Sequence, residues 1–203
     1  MTTPNLERLA ASYDFVLGSG SPRRVRLLSE TGVAFRQIVP QVAEARKDGE
    51  PALEYAVRLA RDKAVAVSGQ ADESVVLGCD TIVILEDEVL EKPADSDEAF
   101  RILTKLSGHT HTVCTAAALA HGGLVLSHGR DLTRVHFNQV EPNQIRRYIA
   151  TGEPMDKAGA YGIQGHGGFL VDTIEGSLDT VIGLPRRLLD ELAANALAAL
   201  AER

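Results

Sequence analysis

The chain predicts an α/β fold with a mixed β-sheet, on three observations. Short β-rich runs alternate with stretches whose apolar residues recur at helical spacing. Several consecutive strands are joined by turns too tight for a crossover helix, so antiparallel pairs must accompany parallel ones. No segment repeats, so the alternation is one continuous architecture with helices flanking the sheet. The 203 residues, 44% of them hydrophobic, suffice for a sizeable core. A single domain over residues 1–203 is expected, as one body or two small lobes.

Residues 1–12 are polar and are expected to be poorly held. Residues 15–17 form an apolar strand that Gly18 to Gly20 interrupt. Ser21 then reads as an N-cap and Pro22 as the first helical residue, where no N–H is needed. Val25, Leu27 and Leu28 give this helix an apolar side and Gly32 ends it. Residues 35–40 read as a second strand leading into a polar segment with Glu44, Arg46 and Lys47. Pro51 opens a helix carrying Leu53, Ala56, Val57, Leu59, Ala60, Ala64 and Val67 at helical spacing. Residues 74–78 and 81–85 are β-rich, and 86–88 turn the chain into a short strand at Val89 and Leu90.

Asp95 opens an acidic cap for a helix running to Leu106, with Gly108 beyond its end. Residues 110–121 and 124–127 read as strands across a Gly122-Gly123 turn, and 132–140 as a further strand. Pro142 starts a helix to Ile149. Residues 155–185 are glycine-rich, with short strands expected at 168–171 and 180–182. The last helix, 186–202, is rich in alanine and leucine.

A net charge of −7 excludes general nucleic-acid or anionic-membrane binding, which needs a broad basic surface. An acidic protein with an anionic ligand must gather its cations locally or bring a metal ion. Cys79 and Cys114 lie in apolar runs without metal-type spacing and are expected as reduced core thiols. No apolar run has membrane-spanning length and the N-terminus shows no signal-peptide pattern, so a cytoplasmic protein is expected.

The strand, turn and helix start at residues 15–28 together make an anion site, because the helix N-terminus presents N–H groups and a favourable dipole. Arg23 and Arg24 add guanidinium groups suited to phosphate, where cations would otherwise oppose the helix. Scattered surface arginines are the bland alternative. Asp80 interrupts an apolar strand run, so its carboxylate needs a partner or a task. Lys63, on the border of a helix face, and Lys92, after a hairpin, are ordinary solvated lysines when taken alone. In Lys157-Ala-Gly-Ala-Tyr-Gly-Ile-Gln164-Gly the glycines let backbone approach a ligand, and Gln164 offers a donor and an acceptor for a base edge. Tyr161, Ile163 and Phe169 argue that this loop is packed. None of the six histidines forms a helical metal pair; His109 and His111 are expected on one solvent-facing side of a strand. A Walker-type phosphate loop and a Gly-x-Ser-x-Gly elbow are both lacking.

Several of these stretches belong to longer motifs: Ser19-Gly-Ser-Pro-Arg-Arg24, Gly78-Cys-Asp-Thr-Ile-Val83 and Glu91-Lys-Pro93 with its following helix to Leu106-Ser-Gly108. Further along stand Glu153-Pro-Met-Asp-Lys-Ala-Gly-Ala-Tyr-Gly-Ile-Gln-Gly165, Glu175-Gly176 and Val181-Ile-Gly-Leu-Pro185. In this order they resemble the Maf family of nucleoside triphosphate pyrophosphatases over nearly the whole chain. The resemblance implies cleavage between the α and β phosphates, a divalent cation, and an elongated Maf-like α/β fold of two lobes with a central cleft. It also implies a homodimer. By position, Asp80 matches the general base, and Arg23, Thr81 and Gln164 match residues linked to substrate choice. Glutamine within Gly-Ile-Gln-Gly resembles the subgroup acting on dTTP and UTP; the 7-methyl-GTP subgroup carries an acidic residue there. Gly18 and Cys79 stand where alanine is common, and Ala43 where the family often has a second acidic residue beside Glu44.

On that resemblance, Ser21, Arg23 and Arg24 are expected to hold the triphosphate, aided by Lys63 and Lys92. Mg²⁺ or Mn²⁺ on Asp80 and Glu44 would offset the remaining charge. Asp80 would also activate water, a role that competes with metal ligation, and Gln164 would bond the pyrimidine edge. The alternatives are a pyrophosphatase for 7-methyl-GTP or a modified pyrimidine nucleotide, and a nucleotide-binding regulator of cell division with little turnover.

Overall fold

The structure is a computed structural model that describes residues 2–71 and 73–202. Its elements are α1 (Pro4–Ser12), β1 (Asp14–Gly18), α2 (Pro22–Ser29), β2 (Arg36–Ile38), α3 (Ala52–Ser68), β3 (Ser74–Leu85) and β4 (Glu88–Leu90). They continue with α4 (Ser96–Leu106), β5 (Thr110–His121), β6 (Leu124–Phe137), α5 (Pro142–Ile149), β7 (Val171–Glu175), α6 (Leu178–Ile182) and α7 (Arg186–Ala201). The seven strands form one mixed sheet in the order β2-β1-β3-β5-β6-β7, with β4 pairing to β3. This is the α/β class that the alternation of patterns predicts. The chain divides into two compact units: residues 1–80, 115–131 and 183–203, and residues 81–114 and 132–182.

In the first unit β1 pairs in parallel with both β2 and β3. Every residue from Ser74 to Asp80 is buried, which is why this stretch reads as a near-continuous apolar run rather than an alternating one. Helix α3 lies against β3 at Gly78. A Cβ at that position would collide with the Ala60 carbonyl oxygen and stand 2.5 Å from the Ala64 backbone nitrogen. Small residues on both elements therefore bring helix and strand backbones together.

Of the residues expected to be loose, Met1 lies outside the described residues and Pro4–Ser12 are firmly held. They form α1, with Leu6 and Leu9 fully buried. Asp190 of α7 caps the helix start, accepting from the backbone N–H of Asn5 at 2.8 Å and of Leu6 at 3.0 Å. The Asn5 side-chain amide donates to the other Asp190 oxygen at 2.9 Å. These partners lie at the far end of the chain, so the local polarity of residues 1–12 conceals them.

In the second unit, α4 and α5 close over Val83, Leu90, Val113, Val135 and Leu170. Both helix starts obey their sequence signals: Asp95 caps α4 through the Glu98 N–H at 2.8 Å, and a Glu141–Gln144 capping box opens α5. Three strand expectations change. The break expected at residues 128–131 does not occur, because β6 runs unbroken between β5 and β7, which supply its ladder. Residues 180–182 are helical within α6, with the Thr180 and Val181 N–H groups turned back to the Ser177 carbonyl. Residues 168–170 form a 3₁₀ turn and the strand begins at Val171. Both cysteines are free and buried, as expected.

Gly78→Ala is expected to lower the unfolding free energy by about 3 kcal/mol, because backbone rather than a flexible side chain blocks the added methyl. The shift of the urea midpoint against wild type measures it; a change within error would show that α3 can move away from β3.

Candidate active site

The parallel register sets the site. Gly18 pairs with Gly78 and also with Ile38, so β2 and β1 end level with each other beside the middle of β3. The segments leaving those ends carry Glu44 after β2 and Ser19 to Arg24 after β1, and β3 itself reaches Asp80 two residues past the pairing. The outlet of parallel strands is where α/β proteins gather ligand-binding groups.

Asp80 is 6% exposed and its Oδ1 takes a 2.7 Å hydrogen bond from the Lys63 ammonium. The same ammonium lies 2.7 Å from Glu44 Oε1. Lys63, itself buried, thus joins two carboxylates, and the close contact of α3 at Gly78 delivers it there. Lys63, expected at the phosphates, is placed by the structure against Asp80, whose charge it compensates.

Glu44 belongs to a polar segment strapped to α3. Tyr55 donates its hydroxyl to the Glu44 carbonyl at 3.2 Å, and Arg58 reaches the Ala45 carbonyl at 2.9 Å. Arg58 also grips both oxygens of Glu50, at 2.6 and 2.9 Å. The Arg58 hydrogen bonds draw the Glu50 carboxyl down from 4.5 to about 2.

At the start of α2, Ser21 occupies the N-cap with a long 3.5 Å bond to the Arg24 N–H. Arg24 turns its guanidinium inward, donating to the Gly183 carbonyl at 2.9 Å and to Ser19 Oγ at 3.2 Å. It therefore braces the turn. Ser19, 3% exposed, also accepts from the Ser21 N–H at 3.2 Å and makes the turn a closed structure. Burial pushes the Cys79 thiol up to about 11, against the pull of the Arg24 and Lys63 charges. Both cations are thus electrostatic neighbours of the residue preceding Asp80. Arg23, on the same first turn of α2, is half-buried.

The remaining predicted residues fall in the second unit. Thr81 continues β3, Lys92 follows β4 and is exposed, and Gln164 is exposed between two 3₁₀ turns. A depression of about 290 Å³ in this unit is lined by Gln144, Arg147, Tyr148, His166 and Phe169, and by none of the predicted site residues. His111 corrects its expectation. It is 2% exposed and its Nε2 lies 2.8 Å from the Tyr161 hydroxyl, while His109 precedes the strand. β5 is buried almost throughout, so period-two spacing could not place a solvent side there.

No group of three or more His, Cys, Asp or Glu side chains among the described residues could hold a metal ion unaided. Among the described residues, no helix is long and apolar enough to cross a membrane.

The sequence profile described as Maf-like protein matches residues 14–196. The chain belongs to the Maf family. It is 51% identical over 180 residues to the dTTP/UTP pyrophosphatase of Escherichia coli (strain K12), covering 88% of this chain and 91% of that enzyme. The same identity and coverage hold for a nucleoside triphosphate pyrophosphatase of Shigella flexneri. Among solved structures, the Staphylococcus aureus Ham1 protein aligns with TM-score 0.48 and 12% identity, over 93% of this chain and 98% of that one. In this Maf chain, then, the cluster of Lys63, Asp80 and Glu44 is built wholly within the first unit.

Sequence reasoning singled out Asp80 but missed two supporting residues. Ser19 was visible only as part of a motif, and the strap from Arg58 only as an ordinary helix arginine. An Arg eight residues after a Glu, across a helix start, is the signal that could have found the strap.

Lys63→Met is expected to cost about 3 kcal/mol, since removing one partner strands a buried carboxylate. Adding Asp80→Asn should recover part of the loss, and a double-mutant cycle by chemical denaturation reads the coupling; additive losses would deny the pair. Acid provides a second test. With its carboxyl depressed, Glu50 stabilises fully above 4.5 and loses that contribution as pH falls toward about 2. Thermal melts of wild type and Glu50→Gln should converge across that window, and parallel curves would contradict the strap.

Proposed function

We propose that this Maf-family chain is a pyrophosphatase that hydrolyses dTTP and UTP to the monophosphate and pyrophosphate, with removal of non-standard pyrimidine nucleotides as its cellular task. The observation that carries the reading is the buried Asp80 carboxylate, fixed by Lys63 two residues past the level at which parallel β1 and β2 end. A binding protein has no need of a carboxylate so placed. The names of the 51% identical relatives give the substrates.

Phosphoryl transfer asks the protein for charge neutralisation and an aligned nucleophile. The N–H groups at the α2 start and the Arg23 guanidinium are assigned to the polyphosphate, with Ser19 and Arg24 keeping the turn rigid. Lys63 holds Asp80 by Oδ1, and Oδ2 is assigned to the attacking water, whose proton it accepts. The family resemblance extends the proposal to Ser21 and Lys92 at the phosphates, and to Thr81 and Gln164 in the choice of base.

The donor set fits a divalent cation of the Mg²⁺ or Mn²⁺ kind. Asp80 and Glu44 converge on one point, the Lys63 ammonium, and such ions take one or two carboxylates with water and substrate phosphates as the other ligands. When bound, the ion would offset phosphate charge. A homodimer and cytoplasmic residence complete the proposal on the resemblance alone.

The test is a panel of nucleoside triphosphates with pyrophosphate detection in Mg²⁺ or Mn²⁺. Pyrophosphate from dTTP and UTP ahead of 7-methyl-GTP and the purine triphosphates is expected; binding without release would mark a regulator. Asp80→Asn should lower kcat by about 10³-fold with the fold retained. A variant keeping most of its rate would remove Asp80 as the base.

A further inference from the structure

The glycine-rich loop carrying Gln164 is fixed on both sides of that residue. On the N-terminal side, Tyr161 is buried, with its ring 4.8 Å from Phe137 and its hydroxyl 2.8 Å from His111 Nε2. The next N–H, of Gly162, donates to the Tyr148 hydroxyl at 3.0 Å. That hydroxyl donates in turn to Glu153 Oε1 at 3.0 Å. On the C-terminal side, the same carboxylate accepts from the His166 N–H at 2.9 Å and the Gly167 N–H at 3.1 Å. One hydroxyl and one carboxylate therefore hold the backbone two residues before and two residues after Gln164. Only Ile163, Gln164 and Gly165 span the interval.

The holding groups are themselves held in place by their neighbours. Tyr148 is 3% exposed within the core of the second unit, and its ring meets Phe169 edge-on at 6.1 Å. Gly167 admits the hydroxyl because it has no side chain; a Cβ there would stand 2.7 Å from Tyr148 Oη. Burial opposes the charge on Glu153, yet the His166 N–H, the Tyr148 hydroxyl, the Gly167 N–H and the Lys157 charge outweigh it and lower the carboxyl's pKa. These donors favour the ionised, accepting form of Glu153.

We infer that Tyr148 and Glu153 are positioning residues for substrate choice: by clamping the backbone around Gln164 they fix where its amide stands, and so set the preference for pyrimidine triphosphates. This rests on the proposed role of Gln164, which the clamp extends to residues that touch no substrate.

The experiment compares kcat/KM for UTP and GTP in wild type, Tyr148→Phe, Glu153→Gln and Gln164→Ala, with the Tyr148→Phe/Gln164→Ala double variant. Each clamp variant leaves a backbone N–H without its acceptor and is expected to reduce the UTP-to-GTP ratio about tenfold, mainly through the KM for UTP. In the double variant the ratio should fall no further than in Gln164→Ala alone. A merely structural role would lower both nucleotides alike and leave the ratio unchanged, which overturns the clamp while Gln164→Ala still shifts it. Multiplying effects in the double variant overturn it too. If Gln164→Ala itself keeps the wild-type ratio, the reading of Gln164 falls and this inference with it. Should Glu153→Gln fail to fold, Tyr148→Phe, which retains the buried ring, decides.

Discussion

A lysine ammonium held 2.7 Å from each of two carboxylates is the interaction on which the first unit is organised. A carboxylate at 6% exposure calls for such a partner, and so does a buried lysine. The pair in turn dictates backbone geometry. Lys63 reaches Asp80 because Ala60 and Ala64 let α3 descend onto β3, and because residue 78 has no side chain to hold it off. The third member, Glu44, is exposed and gains its place from Arg58 and Tyr55, which tie its segment to the same helix. A helix, a strand and a loop are thus locked together around one positive charge.

Much of this was legible where the controlling contacts are local. Ser21-Pro22, Asp95 and Gly32 announce helix ends through capping and backbone preference, and α2 and α4 begin where those residues place them. The reading failed where distant residues decide. Leu6 and Leu9 are too few to make residues 1–12 look helical until α7 covers them and Asp190 caps them. Thr180, Val181 and Ile182 are β-branched, yet Ser177 gathers them into a helical turn. Asp80 declared itself because a carboxylate in an apolar run is costly. Lys63 did not, since its partner lies 17 residues away and meets it only through the packing of α3 on β3.

The loop after α5 shows the limit from the other side. Its glycines carry no periodicity, so composition alone describes a linker. Its order comes from backbone N–H groups accepted by Tyr148 and Glu153, and from Tyr161 packed edge-on against both His111 and Phe137. Nothing about Glu153 separates it in sequence from an ordinary helix-stop residue before proline. His111 was misplaced for a related reason: alternation identifies a strand's two sides but not whether either is wet, and β5 is buried on both.

The buried Asp80 carboxylate and the half-buried Glu153 carboxylate hold different donors, and one is assigned to chemistry and the other to architecture. An ionised carboxylate offers about four acceptor positions. Glu153 fills three of them with two backbone N–H groups and a tyrosine hydroxyl, all neutral donors fixed by the fold. A proton or ligand arriving there would compete with the bonds that hold the loop. Asp80 takes the Lys63 ammonium at Oδ1, a charged partner that compensates its burial. Such a carboxylate is oriented, compensated and still able to accept. The distinction lies in the kind and number of donors as well as in depth of burial, and it is why Asp80 suits a reacting water whereas Glu153 suits the placement of Gln164.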